Sequence, residues 1–250
     1  MRFDNKVTVI TGAGSGIGRA TAVELGKQGA KVVLVGRTKE KLEETAALLE
    51  GNGDVFPADV TSESDVENLA SYVKETYGHL DILINNAGGS AQGKILNLSS
   101  SEWDYVQDIN LKSVFLVSKM LGNVMADRQR SENDRAIVNV SSLSGHKAGA
   151  HIPHYSAAKA AVMNFTRALA FELAPYKIRV NSVSPGFVET PLTEDGLQNE
   201  RFKSSIERNT ALQRVGKPEE IAKVIAFAAS TDASYMTGTD LLVDGGWLIV

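Results

Sequence analysis

Short runs of β-branched and other apolar residues alternate with longer stretches of mixed polarity along the whole chain. Several of the runs are apolar almost throughout, as in strands that are buried on both faces of a parallel sheet. The runs that predict strands are 6–10, 31–35, 54–58, 81–85, 136–140, 178–183 and 240–244. The stretches between them are long enough for helices. Examples are 39–51, which ends in a glycine, and 62–78, where Ser62 and Asp65 have capping-box spacing.

Strand and helix therefore repeat in turn, a pattern that favours right-handed crossovers between parallel strands. It predicts an α/β fold: a Rossmann-type doubly wound sheet of seven mainly parallel strands, flanked by helices on both faces. No linker rich in Pro, Gly or Ser interrupts the pattern. We therefore expect residues 1–250 to form a single domain.

Composition narrows the classes of function. The net charge of −4 and the lack of an uninterrupted basic cluster argue against nucleic acid as a partner. The absence of cysteine excludes disulfides, thiolate catalysis and thiolate zinc sites, and it fits a reducing compartment. The first residues do not resemble a signal peptide, and no stretch approaches ~18 consecutive apolar residues. We expect a cytoplasmic protein with no membrane partner.

A glycine-rich loop, TGAGSGIG at 11–18, joins the first predicted strand to a helix. Glycines let the backbone turn sharply and approach a ligand, and the helix that follows points unpaired N–H groups at that ligand. This place in a doubly wound sheet is typical of a dinucleotide pyrophosphate site, whereas a glycine-rich turn that only reverses the chain is the alternative. No Gly-Lys-Ser/Thr follows, which excludes a P-loop. The residues expected to contact the dinucleotide are Gly12, Gly14, Ser15, Gly16, Ile17 and Gly18.

The end of the second predicted strand bears on which dinucleotide is bound. Sheets that bind NAD usually place an acid there, which accepts hydrogen bonds from the adenosine ribose. Here Gly36 is followed by Arg37 and Thr38. A guanidinium could bind a 2′-phosphate through paired, charge-assisted hydrogen bonds. We therefore favour NADP(H) over NAD(H); the alternative is that Arg37 is a solvated surface charge.

Two further segments fit a bound dinucleotide. Asp59 and Val60 follow the third strand, where the carboxylate could accept a hydrogen bond from the adenine amino group. The alternative role of Asp59 is a helix N-cap, although Ser62 fits that role better. The fourth strand ends in NNAG at 85–88. There Asn86, Ala87 and Gly88 offer a hydrogen bond and room for a ribose, with a plain strand-to-loop turn as the alternative.

A tyrosine and a lysine lie four residues apart in HYSAAKAAV at 154–162, so both project from one face of a helix. The pair alone is a weak signal. An ammonium beside a phenol favours the phenolate, so we expect Lys159 to lower the pKa of Tyr155. Such a phenol could exchange a proton with an alcohol or carbonyl oxygen, while Lys159 could also bond the nicotinamide ribose. The alternative is a packed tyrosine beside an exposed lysine.

Six motifs agree jointly in order and spacing over nearly the whole chain. They are TGAGSGIG (11–18), NNAG (85–88), VNVSS (138–142), YSAAK (155–159), SPG (184–186) and VDGG (243–246). The chain thus resembles the short-chain dehydrogenase/reductase family, in its single-domain branch of about 250 residues.

The resemblance implies a catalytic set of Asn110, Ser142, Tyr155 and Lys159. Ser142, and not Ser141, takes the serine role because it precedes the tyrosine by thirteen residues, as in the family. Ser142 would polarise a carbonyl, Tyr155 would transfer the proton, Lys159 would assist it, and Asn110 would hold a water that links Lys159 to solvent.

The resemblance also implies residues for the nicotinamide and the substrate. Those expected beside the nicotinamide are Pro185, Gly186, Val188 and Thr190, and those expected beside the substrate are Ser142, Ser144, His151, Tyr155 and Phe187. Segment 190–216 resembles the substrate lid of the family, and 89–94, Leu143 and 152–153 are further candidates for the substrate wall.

His146, His151 and His154 invite a metal hypothesis, but no acid or thiol lies between Arg135 and Glu172 to complete a site, so we expect no metal. Cleft lining is the alternative role for these histidines, and plain loop polarity suits His146.

The substrate class stays open among three hypotheses. The first is a ketone or 3-oxoacyl compound reduced by NADPH. An acyl-carrier-protein partner is possible but not favoured, because Phe171 replaces an arginine typical of those reductases, although Arg128 and Arg130 could form part of a docking patch. The second is a sugar or polyol dehydrogenase using NAD(P), since IPHY at 152–155 is similar to its approach to the tyrosine. The third is a non-catalytic NADP-binding sensor.

An alanine-rich flank of the helix that carries Tyr155 would allow close helix packing. The apolar tail at 245–250 also needs a cover. Both features favour a homotetramer, which is usual in the family, with a dimer as the alternative.

Overall fold

A computed structural model describes residues 1–127 and 135–250 of the chain. Its described strands form a seven-stranded sheet in the order β3-β2-β1-β4-β5-β6-β7. The strands are β1 (Val7–Thr11), β2 (Lys31–Gly36), β3 (Gly53–Pro57), β4 (Ile82–Asn85), β5 (Arg135–Val140), β6 (Ile178–Pro185) and β7 (Asp240–Val243). All six strand pairings are parallel. The predicted doubly wound sheet is therefore confirmed, and it is parallel at every described pairing and not only at most of them.

Nine α-helices lie within the described residues. They are α1 (Gly16–Lys27), α2 (Lys39–Ala47), α3 (Glu63–Tyr77), α4 (Ser100–Gln107), α5 (Ser113–Ala126), α6 (Pro153–Leu173), α7 (Glu194–Leu197), α8 (Glu200–Arg208) and α9 (Pro218–Ala229). None of the helices in this part of the chain has both the length and the hydropathy needed to cross a membrane. Arg128 and Arg130, considered above for a docking patch, lie outside the described residues.

The core has two layers, one on each face of the sheet, because successive strand residues point to opposite faces. In β4, Ile82 and Ile84 pack into the layer that contains α1 and α9. Leu83, between them, packs into the layer that contains α3 and α5. The continuous apolar runs in the sequence follow from this burial on both faces.

The helix start predicted at Ser62 is confirmed. The Ser62 hydroxyl accepts a hydrogen bond from the Asp65 backbone N–H, and α3 ends at Gly78, whose φ is 72°. The Asp65 carboxylate accepts the Ser62 hydroxyl on one oxygen (3.1 Å) and the backbone N–H of Asp59 on the other (2.9 Å), and the second bond joins the end of β3 to the first turn of α3.

The predicted helix over 39–51 is shorter in the structure and ends at Ala47. After it, the chain turns so that Leu49 is buried, and Asn52 donates its backbone N–H to the Leu49 carbonyl. Leu49 lies beside Gly26 of α1, where a Cβ would be 3.0 Å from a Leu49 methyl carbon. Burial of this leucine therefore favours a turn over a further helical turn.

Candidate active site

Three glycines of the glycine-rich loop occupy positions that a larger residue would not fit. Gly12 has a φ of +67° and Gly16 a φ of +52°, which L side chains rarely adopt. A Cβ on Gly18 would lie 2.2 Å from the carbonyl oxygen of Gly12, so the first turn of α1 presses directly against the loop. Ser15 caps α1 in extended backbone without a capping bond from its side chain, and Ile17 lies in the first turn. The arrangement fits a pyrophosphate at the helix N-terminus.

Hydrogen bonds from β1 and β4 hold this loop in place. The Asn86 side chain donates to the carbonyls of Thr11 (3.0 Å) and Gly12 (3.2 Å). The Thr11 hydroxyl accepts the backbone N–H groups of Asn86 and Ala87, each at 3.0 Å. The amide of Asn86 therefore supports the glycine loop, a role that the sequence alone did not indicate.

The residues considered for the adenosine half lie at the ends of β2 and β3. Arg37 is exposed, and none of the described residues pairs with it. Thr38 is the N-cap of α2, but its side chain makes no capping bond. Asp59 accepts hydrogen bonds from the Thr61 backbone N–H (2.9 Å) and hydroxyl (2.8 Å). These bonds, helped by the charge of Arg37 and opposed by partial burial, lower the pKa of Asp59. Val60 is buried in the layer that contains α3.

Tyr155 and Lys159 lie one turn apart on α6, and both are buried, at 9% and 4% exposure. The Lys159 ammonium is 5.6 Å from the centroid of the Tyr155 ring. It donates a hydrogen bond of 2.9 Å to the carbonyl of Val140 at the end of β5. The alternative of a packed tyrosine beside an exposed lysine is therefore wrong.

Burial shifts the pKa values of this pair in opposite directions. Loss of water around the amine lowers the pKa of Lys159 to about 8. Loss of water around the phenol raises the pKa of Tyr155, and a hydrogen bond with Ser142 opposes this only in part. Our expectation that Lys159 lowers the pKa of Tyr155 is thus wrong in direction for this structure, because desolvation of the phenol dominates.

Ser142 follows β5 and opens a short 3₁₀ turn, Leu143–Gly145. Its hydroxyl accepts the Ser144 backbone N–H at 3.1 Å and also hydrogen-bonds Tyr155. The neighbouring Ser141 is buried, and its hydroxyl donates to the Lys159 carbonyl at 2.8 Å. Ser142 is therefore the serine whose hydroxyl faces the phenol.

Asn110 lies in a five-residue π-helical segment, Asp108–Lys112, between α4 and α5. Its fully buried amide donates to the carbonyls of Gly89 (2.7 Å) and Val106 (2.9 Å) and accepts the Gly89 N–H (3.3 Å). A Cβ on Gly88 would lie 2.8 Å from the Asn110 oxygen and 3.4 Å from the Lys159 nitrogen. The two polar groups thus flank Gly88, and π segments of this kind are frequent at functional sites.

The end of β6 brings the predicted nicotinamide residues to the same edge of the sheet. Gly186 follows Pro185, the last residue of β6, and packs against Asp244, whose Cα would lie 2.7 Å from an added Cβ. Val188 is buried and bridges to Gly216, which joins the two ends of the predicted lid. Thr190 lies against the glycine loop, 3.2 Å from the position that a Cβ of Gly16 would take.

The predicted lid, 190–216, contains α7 and α8 and is joined to the body of the protein by aromatic rings. Phe187 packs edge-on against Phe202 of α8, with ring centroids 5.9 Å apart. It also contacts Trp247 near the C-terminus at 4.8 Å. Phe202 and Trp247 were not predicted as site residues, because nothing in their local sequence relates them to Phe187.

A cavity of about 560 Å³ opens beside the N-terminal end of α6. Of the predicted wall residues, Gly93, Lys94, His151 and Pro153 line it. Ile95 and Leu96, which were not predicted, add an exposed apolar side to the cavity. Ser144 lies near it, with its hydroxyl 3.8 Å from the position that a Cβ of Gly149 would take.

The three histidines considered for a metal do not converge. His151 lines the cavity, with a φ of +63°. His154 is fully buried, and neither of its ring nitrogens has a partner among the described residues. His146 points to β7, where its Nε2 lies 2.8 Å from the Asp240 carboxylate. In the described part of the chain, no group of three or more potential ligands could hold a metal ion.

Comparison with known proteins places these features in a family. A family model described as Enoyl-(Acyl carrier protein) reductase matches residues 12–248. The chain is 39% identical to the 3-oxoacyl-[acyl-carrier-protein] reductase FabG of Thermotoga maritima over 252 residues, covering all of both chains. It is 39% identical to a meso-2,3-butanediol dehydrogenase of Serratia marcescens over 247 residues, covering 98% of this chain and 96% of the relative.

Solved structures agree with these matches. A short-chain type dehydrogenase/reductase from Mycobacterium marinum superposes with a TM-score of 0.91 at 34% identity, covering 98% of this chain and 96% of the other. The aldohexose dehydrogenase of Thermoplasma acidophilum superposes with a TM-score of 0.89 at 33% identity, covering 99% and 96%.

Gly18→Ala tests the close approach in the glycine loop. The new methyl group would overlap the Gly12 carbonyl, so we expect a loss of about 1–3 kcal/mol in the free energy of unfolding and at least ~10-fold weaker dinucleotide binding. Urea unfolding and calorimetric titration with NADPH measure the two effects. Gly122→Ala in α5 is the control, since a Cβ there meets nothing within 4 Å. Equal behaviour of the two variants would contradict the packing described.

Lys159→Met tests the cost of the buried amine. With a folded pKa of about 8 against 10.5 in the unfolded chain, the charged form opposes folding at neutral pH by about 3 kcal/mol. The unfolded chain binds the extra proton between these values, so this cost is relieved as pH rises from about 8 to about 10.5.

Between pH 7 and pH 10, the free energy of unfolding of wild type should therefore rise by about 2–3 kcal/mol relative to that of Lys159→Met. Urea unfolding of the ligand-free proteins measures this difference. Lys119→Met removes an amine that is 54% exposed, and its difference from wild type should stay flat over this range. A flat difference for Lys159→Met as well would show that the amine is not desolvated.

Proposed function

Because the chain belongs to the short-chain dehydrogenase/reductase family, we propose that it transfers a hydride between NADP(H) and the carbonyl or secondary alcohol of a ketone or 3-oxoacyl compound. The observation that carries the proposal is the group formed by the buried Tyr155 and Lys159 and the half-buried Ser142. This group lies at the carboxyl edge of the sheet, beside Gly88 and on the same edge as the glycine loop. Ligands bind at this edge in doubly wound folds.

A bound nicotinamide would supply or accept the hydride, and the protein handles the proton. Burial raises the pKa of Tyr155, which keeps the phenol protonated at neutral pH and suits it to donate to a carbonyl oxygen. The Ser142 hydroxyl, already bonded to the phenol, would donate to the same oxygen and stabilise the charge that develops there.

Lys159 would restore the proton lost by Tyr155. Its pKa of about 8 lets the amine release and regain a proton near neutral pH, and its ammonium could bind the ribose hydroxyls of the cofactor. The Asn110 side-chain oxygen and the amine both lie near the position that a Cβ of Gly88 would take, so this oxygen could hold a water beside the amine. We place Asn110 at the exit of this relay to solvent.

The preference for NADP(H) rests on the adenosine end of the site. Gly36 stands where an acid would repel a 2′-phosphate, and the exposed Arg37 makes no hydrogen bond or ion pair within the described residues, although its charge acts on Asp59. The N-terminus of α2, capped by Thr38 without a side-chain bond, adds positive dipole character at the same place.

The cavity wall favours a substrate with an apolar substituent. Ile95 and Leu96 are 63% and 94% exposed and, with Pro153, give the cavity an apolar side. The relatives named as 3-oxoacyl reductase and butanediol dehydrogenase act within this substrate range. Phe171, at 85% exposure, offers no charge for a carrier protein, so a free ketone or small thioester is favoured.

A sugar or polyol dehydrogenase is the second candidate, supported by the solved aldohexose dehydrogenase and by His151 at the cavity. A non-catalytic sensor is disfavoured, since all four candidate catalytic side chains are retained. The expected homotetramer would cover exposed apolar residues such as Phe171 and Ile249. A cytoplasmic location remains part of the proposal.

Tyr155→Phe removes only the phenolic hydroxyl, and with it the proposed proton donor and its hydrogen bond to Ser142. We expect kcat/KM for NADPH-dependent reduction of 2,3-butanedione or acetoacetyl-CoA to fall by about 10²–10⁴-fold, with NADPH binding unchanged. Tyr105→Phe is the matched control, because this tyrosine on α4 is 53% exposed. Retention of wild-type kcat/KM in Tyr155→Phe would remove the tyrosine from the mechanism.

Arg37→Ala tests the cofactor preference. Loss of a charge-assisted phosphate contact should lower kcat/KM with NADPH by about 10–100-fold, while that with NADH changes less than about twofold. Lys27→Ala on α1 removes an exposed positive charge elsewhere and should alter neither value. An equal fall with both cofactors would argue against a 2′-phosphate contact at Arg37.

A further inference from the structure

We propose that His146 is a positioning residue that fixes the turn carrying Ser142 through a hydrogen bond to Asp240. The proposal rests on the proposed function, in which Ser142 polarises the substrate carbonyl. His146 Nε2 lies 2.8 Å from Asp240 Oδ2, across 94 residues of sequence. The Asp240 side chain is 7% exposed and that of His146 is 27% exposed, so the bond joins a buried carboxylate to a ring at the protein surface.

The Asp240 carboxylate is bonded on both oxygens. Oδ1 accepts the hydroxyls of Ser182 (2.5 Å) and Ser184 (2.8 Å), both on β6. Oδ2 remains for His146. The carboxylate at the first residue of β7 thus joins two hydroxyls of β6 to the ring of His146.

This carboxylate links two parts of the candidate site. Ser184 immediately precedes Pro185 and Gly186, which are expected beside the nicotinamide. His146 is the residue at which the 3₁₀ turn after Ser142 ends. The hydrogen bonds of Asp240 thus fix the strand under the cofactor and the turn of the carbonyl-polarising serine relative to each other.

The turn is also held by its own hydrogen bonds and by packing on α6. Within it, the backbone N–H of Gly145 donates to the Ser142 carbonyl (2.9 Å), and that of His146 donates to the Leu143 carbonyl (3.0 Å). On one side it packs on α6, where a Cβ on Gly145 would lie 2.8 Å from the Met163 sulfur. The His146 side chain joins its far end to the sheet.

The bond needs only a proton on Nε2, which the histidine carries both when protonated and in one neutral tautomer. A side chain that offers a donor at the same reach should therefore replace it. Glutamine offers such a donor, whereas leucine does not. This difference separates a positional role from simple filling of space.

The test compares His146→Leu with His146→Gln. His79→Leu is the control, because it removes a histidine–aspartate contact (His79 Nε2 to Asp81 Oδ2, 3.2 Å) beside the start of β4, at the opposite end of the sheet. Two measurements are made with NADPH present: hydrogen–deuterium exchange of the peptide spanning residues 143–147, and steady-state kcat and KM for reduction of 2,3-butanedione.

We expect His146→Leu to speed exchange in that peptide at least ~10-fold and to lower kcat by about 10–100-fold, with KM for NADPH within about twofold of wild type. His146→Gln should recover most of both losses, and His79→Leu should change neither. Should His146→Leu fail to fold, His146→Asn, whose amide is too short to reach Asp240, takes its place.

Unchanged exchange in His146→Leu, or a kcat no lower than that of His79→Leu, overturns the proposal. A fall in activity that His146→Gln does not recover also overturns it. If wild type reduces no carbonyl compound, the proposed function fails, and the exchange measurement alone decides whether His146 holds the turn.

Discussion

The burial of the Lys159 ammonium is the constraint on which the candidate site depends. A charged amine out of water is costly, and one carbonyl bond, to Val140 at 2.9 Å, offsets only part of that cost. The Lys159 nitrogen and the Asn110 oxygen both lie against Gly88, 3.4 Å and 2.8 Å from the position that an added Cβ would take. A buried, poorly compensated charge next to a ligand-binding edge indicates a group kept for function.

The same burial sets the chemistry of the phenol. Tyr155 and Lys159 are neighbours on one helix face, yet their pKa values move according to desolvation: that of the phenol rises and that of the amine falls to about 8. The ligand-free site thus holds a protonated phenol beside an amine that loses its proton readily, and the proposed roles of proton donor and proton relay follow from this difference. Ser142 is bonded to the phenol, so the two hydroxyls to which we assign proton transfer and carbonyl polarisation lie next to each other.

Local sequence accounts for much of this arrangement. The strands were predictable because their β-branched runs are buried on both faces, and the i, i+4 spacing of Tyr155 and Lys159 indicates a shared helix face. The direction in which the pKa of Tyr155 shifts could not be predicted, because desolvation of the phenol depends on everything packed around α6. The π segment at Asp108–Lys112 also escaped prediction, because it depends on contacts of Asn110 with Gly89 from a different loop. His146 and Asp240 meet only through the fold of the sheet.

A crystal structure of the protein with NADP⁺ and an unreactive alcohol tests the central claim most directly. The account predicts the alcohol oxygen within about 3.2 Å of both the Tyr155 and the Ser142 hydroxyls, with the Lys159 amine on the ribose beside Gly88. A nicotinamide bound with its ring away from Tyr155, or an amine still bonded only to Val140, would contradict it.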